Sequence, residues 1–128
     1  MMKRLNTRRI FWAAVLSCGL TGAGLLLAAG NPASIVHVVT IRWKADSTPE
    51  ARKAALEGVK KMGAEIPGIK NVWIKATKVQ GEGYTDAFVI EFEDKAAADR
   101  YVDHPAHRAW EKTYLPIRDQ STSHQITN

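Results

Sequence analysis

Tyr101, His104 and His107 recur every three residues in Tyr101-Val102-Asp103-His104-Pro105-Ala106-His107-Arg108-Ala109-Trp110, which holds two of the chain's four histidines. A histidine exchanges a proton near neutrality. A tyrosine beside it can donate to a carbonyl or enolate oxygen. Together they would perform general acid–base chemistry on a small apolar carbonyl compound or phenol, with His107 as base and Tyr101 as donor. Two more polar residues sit among apolar ones. His37 alternates with Ile35, Val39, Ile41 and Trp43, and Asp86 with Tyr84, Phe88, Ile90 and Phe92. A carboxylate on such a face needs a partner or a raised pKa, so Asp86 or His37 is expected to orient the imidazole. Trp43, Phe88 and Trp110 would supply the apolar wall of a small cavity. Plainer roles compete at each position: a hydrogen-bonded core histidine at 37, a hydrated carboxylate at 86, and a core ring at 101. His104 reads as the cap of a helix opened by Pro105.

The elements that must carry these groups follow from periodicity. Ile35–Lys44 alternates as a strand, apolar on both faces at its start. Thr48 then offers an N-cap with Pro49 at the first helical position, and Ser47 with Glu50 a competing capping box. Ala51, Ala55, Val59, Met62 and Ile66 form one helical stripe, which Pro67-Gly68 stops. Ile69–Val79 is expected as a second strand and Tyr84–Glu93 as a third, with the turn Gln80–Gly83 between them. Asp94 caps a short helix running to Val102, with Ala97, Ala98, Tyr101 and Val102 inward. Pro105 interrupts it, because the residue before proline avoids helical geometry. A further helix then buries Ala106, Ala109, Trp110, Thr113 and Tyr114, and Ser121–Thr127 makes a weak last strand.

The order β-α-β-β-α-β predicts an α+β, ferredoxin-like antiparallel sheet with helices on one face. Its other face would carry Val36, Val38, Val72, Ile74, Ala87 and Val89, too apolar for water. A homodimer that covers this face is therefore expected.

Composition narrows the partners. The net charge of +5 suggests an anionic partner, but four of the eighteen basic residues precede residue 31, where there is no acid. The remaining fourteen nearly balance thirteen acids and are scattered, which argues against nucleic acid. The one cysteine, Cys18, lies before the domain, so a disulfide or thiol nucleophile within it is excluded. No metal site or cofactor is expected.

Residues 1–30 read as an export signal, followed by a linker at 31–34. A basic start precedes the uncharged run 10–29 and the exit Ala28-Ala29-Gly30. Thr7-Arg8-Arg9-Ile10-Phe11 with Gly19, Gly22 and Gly24 in the core is twin-arginine-like. The expected destination is periplasmic or extracellular. Two alternatives stand: twenty uncharged residues would span about 30 Å as a helix and could anchor the chain in a membrane, and Val15-Leu16-Ser17-Cys18 is lipobox-like.

Residues 35–127 resemble the stress-responsive α/β-barrel (Dabb) domain of the dimeric α+β barrel superfamily. The resemblance rests on His37-Val38-Val39 leading to Trp43-Lys44, Ile66-Pro67-Gly68-Ile69, Gly83-Tyr84-Thr85, Phe92-Glu93, Tyr101 with His104-Pro105-Ala106-His107, and Tyr114-Leu115-Pro116. It implies a homodimer whose two sheets face each other as a barrel, and for most bacterial members no known reaction. The plant olivetolic acid cyclases, cofactor-free polyketide cyclases, are distantly similar: their catalytic tyrosine and histidine match Tyr101 and His107, and a first-strand histidine matches His37. Asp86 and Val59 depart from them, standing where those enzymes have histidine and a pocket tyrosine. The expected function is thus a small-molecule-binding or stress-associated module. A His–Tyr lyase or cyclase is the first alternative. A haem-binding or monooxygenase-like barrel with His104, His107 or His124 as axial ligand is the second.

Overall fold

The computed structural model describes residues 33–128; the leader and the start of the linker lie outside them. The elements are β1 (Ile35–Trp43), α1 (Pro49–Glu65), β2 (Ile69–Trp73), β3 (Asp86–Phe92), α2 (Lys95–Tyr101), α3 (Pro105–Tyr114) and β4 (Arg118–Ile126). They form the expected ferredoxin-like sheet, in the order β2-β3-β1-β4 and with every pairing antiparallel. Alternation buries Val39, Ile41, Trp43, Phe88, Ile90 and Phe92 against Ala55, Val59 and Met62 of α1 and Ala97, Ala98 and Tyr101 of α2. Each large apolar side chain removed from water contributes about 1.5–3 kcal/mol.

Local signals set the helix ends. Thr48 caps α1 by accepting from the Ala51 amide at 3.2 Å; the Ser47 hydroxyl instead donates to the Lys44 carbonyl. Gly68 stops the chain at φ +88°, and a Cβ there would sit 2.5 Å from that of Ala97, so both backbone and packing require glycine. Asp94 caps α2 through the Ala97 amide at 2.8 Å.

Three expectations are corrected. The second strand ends at Trp73 rather than Val79, and it carries a bulge between Ile69 and Asn71. The extra residue puts Ile69 and Val72 on the same face. Val72 therefore packs under α1 at Gly63 and Ile74 against the core, while Trp73, opposite Val89, turns outward and is 51% exposed. The outer sheet face is accordingly Val36, Val38, Ala87 and Val89 with Trp73, and not Val72 or Ile74. On α2, Val102 is 45% exposed; it is the C-cap, one residue past the helix end at Tyr101. On α3 the buried stripe is His107, Trp110 and Tyr114; Ala109 and Thr113 are exposed. The helix turns its large aromatic rings, not its small residues, into the core, and His107 goes in with them.

Candidate ligand site

Between the sheet and α3 lies a half-open cleft of about 140 Å³, lined among others by His37, Phe88, Tyr101, His107, Trp110 and Tyr114. The bend at His104-Pro105 creates it. His104 has extended backbone and accepts from the Ala106 amide through Nδ1 at 3.2 Å, capping α3 as expected. α3 therefore starts in a new direction, and His107 swings back over Tyr101 with ring centroids 4.3 Å apart. The cluster closes with His37 at 6.3 Å from Tyr101, Trp110 at 5.7 Å from His107, and Phe88 edge-on to Trp110 at 5.7 Å.

Hydrogen bonding assigns the roles of the nitrogens. His107 Nδ1 lies 3.0 Å from the Val102 carbonyl, so in the neutral ring it carries the proton and Nε2 keeps the lone pair. Burial holds His107 below the ordinary imidazole range, against the opposing pull of Glu111 and the Val102 carbonyl. His37 is lowered too, first by burial and then by the charge His107 would bear. Tyr101 is pushed well above the ordinary phenol range by burial and then by Glu111. It therefore remains a neutral donor, and near neutral pH the imidazoles beside it favour their uncharged forms.

Not every expected residue reaches this place. Trp43 Nε1 donates to Asp86 Oδ2 at 2.7 Å, and the Thr85 hydroxyl donates to the same oxygen at 2.8 Å. Asp86 borders another surface depression, with Arg52, Lys53 and Ile74, so it cannot orient His107. Trp43 meets the site only through Tyr114, edge-on at 6.0 Å. The Val102 carbonyl performs the orienting role instead. A backbone acceptor five residues away leaves no mark in side-chain patterning, so Asp86 was the visible candidate.

Residues missed in the sequence complete the cleft: Tyr114, Arg118, Ser121 and Ser123. Ser121 and Ser123 pair with Ile41 and Val39 and give the cleft a polar wall along β4. Three buried polar atoms lack a partner among the described residues: His37 Nδ1, the Tyr114 hydroxyl and Arg118 Nε. All three residues line this one cleft. The haem alternative fares poorly. His104 is occupied as a cap, and His124 pairs with Val38 on the outer face. A cleft of about 140 Å³ does not accommodate a porphyrin. Among the described residues no group of three or more potential metal ligands comes together.

A four-stranded antiparallel sheet with helices on one face and a small aromatic cleft beneath them defines a ferredoxin-like α+β domain. The chain belongs to the stress responsive A/B barrel domain family, whose model matches residues 35–128. A dimeric ferredoxin-like protein of unknown function from Thermobifida fusca is similar at 27% identity, with 74% of this chain and 91% of that one covered and a TM-score of 0.64. A Dabb family protein with a ferredoxin-like fold from Mesorhizobium loti matches at 27% identity and TM-score 0.64, covering 74% and 96%. The hydroxynitrile lyase of Passiflora edulis shares the fold at TM-score 0.69 and 15% identity, covering 76% and 94%. No curated protein sequence matches.

Proposed function

We propose that this is an exported, homodimeric module that binds a small, largely apolar molecule in the cleft between the sheet and α3. The convergence of His37 Nδ1, the Tyr114 hydroxyl and Arg118 Nε, three buried and partnerless polar atoms, carries the reading. An unmade hydrogen bond costs about 1–3 kcal/mol per buried group, and three in one small space are best repaid by an occupant. Aromatic walls with a few convergent polar groups are the usual anatomy of such a site. Phenol titrated into isotope-labelled protein should shift the amides of His37, Tyr101, His107 and Trp110. Tyr101→Phe with His107→Asn should weaken that binding at least fivefold. Shifts confined to other surfaces would refute the proposal. Asparagine at 107 can retain the donation to the Val102 carbonyl while removing Nε2, so folding and ligand contact are read separately.

A second reading, catalysis, draws on the free Nε2 of His107 beside the neutral Tyr101 hydroxyl. His107 would take a proton from carbon or oxygen of a carbonyl or phenolic substrate while Tyr101 donates to the developing oxyanion. No cofactor is called for in that scheme.

Dimerisation is proposed through the outer sheet face, sheet against sheet, as in a two-sheet barrel. Val36, Trp73, Val89 and Ile126 line a broad depression there of about 460 Å³, and such an apolar surface is unusual for a monomer. The relative from Thermobifida fusca is described as dimeric. For export, Arg8→Lys with Arg9→Lys should leave folded protein in the cytoplasm. Unchanged translocation of that double variant would assign the leader to the general secretory route.

A further inference from the structure

The bulge near the start of β4 redirects a side chain. Arg42 pairs with Gln120 but Trp43 with Arg118, so Asp119 is the extra residue. Asp119 is held outside by Arg42 Nε at 2.5 Å. The shift puts Arg118 on the helix side with Ser121 and Ser123, where strict alternation from Gln120 would have turned it outward. Its guanidinium lies 5.7 Å from the Tyr114 ring centroid, and Nη1 donates to the Ser121 hydroxyl at 3.2 Å. Nε is buried without a partner.

No carboxylate answers this cation. Arg118 takes part in none of the ion pairs among the described residues. Residues 1–32 contain neither Asp nor Glu. Glu111, the acid on the cleft wall, is engaged by Arg108 at 3.2 Å. The Tyr114 hydroxyl beside it is also partnerless, in a residue only 4% exposed. Arg118 and Ser121 stand near enough to favour its ionised form, though outside hydrogen-bond geometry, and burial still raises its pKa.

We infer that Arg118, with Ser121 and the Tyr114 hydroxyl, is the anion-recognising end of the cleft, and that its ligand is a small aromatic carboxylate. The inference rests on the cleft being a ligand site, and it supplies the ligand's charge. The guanidinium fork matches a carboxylate in two parallel bonds, and its orphaned Nε is one of the donors such a bond would use. The opposite end, with Phe88, Tyr101 and Trp110, would hold the ring. The cleft's volume of about 140 Å³ is close to the roughly 150 Å³ that takes one benzene ring, so a single ring with short substituents fits it.

Benzoate and its neutral isostere benzamide, titrated into the full-length protein, test this. Benzoate should bind about tenfold or more tightly than benzamide, with amide shifts at Ser121, Ser123 and along His107–Tyr114. Arg118→Gln should bring the two ligands level. Arg118→Lys, which keeps the charge but not the fork, should retain a smaller preference, and it preserves the test should the glutamine variant fold poorly. Equal binding of both ligands to the unaltered protein would overturn the anion assignment and leave the cleft as a neutral site. Binding of neither, or shifts elsewhere, would overturn the assignment and the ligand site together.

Discussion

Val89→Lys should abolish the dimer. Val89 lies on the outer face of β3, opposite Val38 on one side and Trp73 on the other. It is the middle of a patch that includes Val36, Trp73 and Ile126. In a sheet-to-sheet dimer, the new ammonium would be buried among apolar side chains with no counter-ion, at a cost of several kcal/mol. Glu91, the nearest acid on that face of β3, is already held by Lys70 at 3.2 Å and Asn71 at 2.5 Å. These bonds keep its pKa below the ordinary carboxylate value. Light scattering at micromolar concentration should show a dimer for the unaltered protein and a monomer or precipitate for the variant. Thermal midpoints provide a second measure: that of a dimer rises with protein concentration, and that of the variant should not. A Val89→Lys protein that stays dimeric with an unchanged midpoint would place the interface elsewhere.

Trp110→Ala should cost about 3–5 kcal/mol in chemical denaturation, the range for deleting a large buried aromatic. Trp110 ties α3 to everything around it. Its ring stacks on Tyr114 at 4.4 Å and meets Phe88 edge-on. Its Nε1 donates to the Ala55 carbonyl of α1 at 2.8 Å. The indole also explains a glycine within α1: a Cβ at Gly58 would come within 2.6 Å of Trp110 Cδ1. Glycine weakens a helix by about 1 kcal/mol relative to alanine, a penalty the seated indole offsets. The substitution should also widen the cleft and weaken the binding of any aromatic ligand in it. A loss below about 1 kcal/mol would mean that α3 is held by other contacts, and the cleft with it.

The elements were legible in the sequence wherever a periodic pattern ran undisturbed to a strong stop signal. Thr48-Pro49, Pro67-Gly68, Asp94 and His104-Pro105 each act within a few residues of chain, through a cap, a fixed φ or a lost donor. So the helices, their order and the ferredoxin-like sheet followed from local chemistry. His104 as a cap and the pairing of Tyr101 with His107 followed likewise, because six residues across a proline bend are still short-range. Three things depended on tertiary structure. Bulges at Lys70 and Asp119 invert the alternation of β2 and β4, exchanging Val72 for Trp73 on the outer face and turning Arg118 inward. A bulge is an agreement between two strands distant in sequence, and neither strand alone encodes it. The partner of Asp86 proved to be Trp43, from the neighbouring strand, and that of His107 a backbone carbonyl. Periodicity shows which face a polar group shares, but hydrogen-bond partners are fixed only when the faces meet. For the same reason the sequence could point His107 toward the cleft, and only the packed chain could bring Arg118 to it.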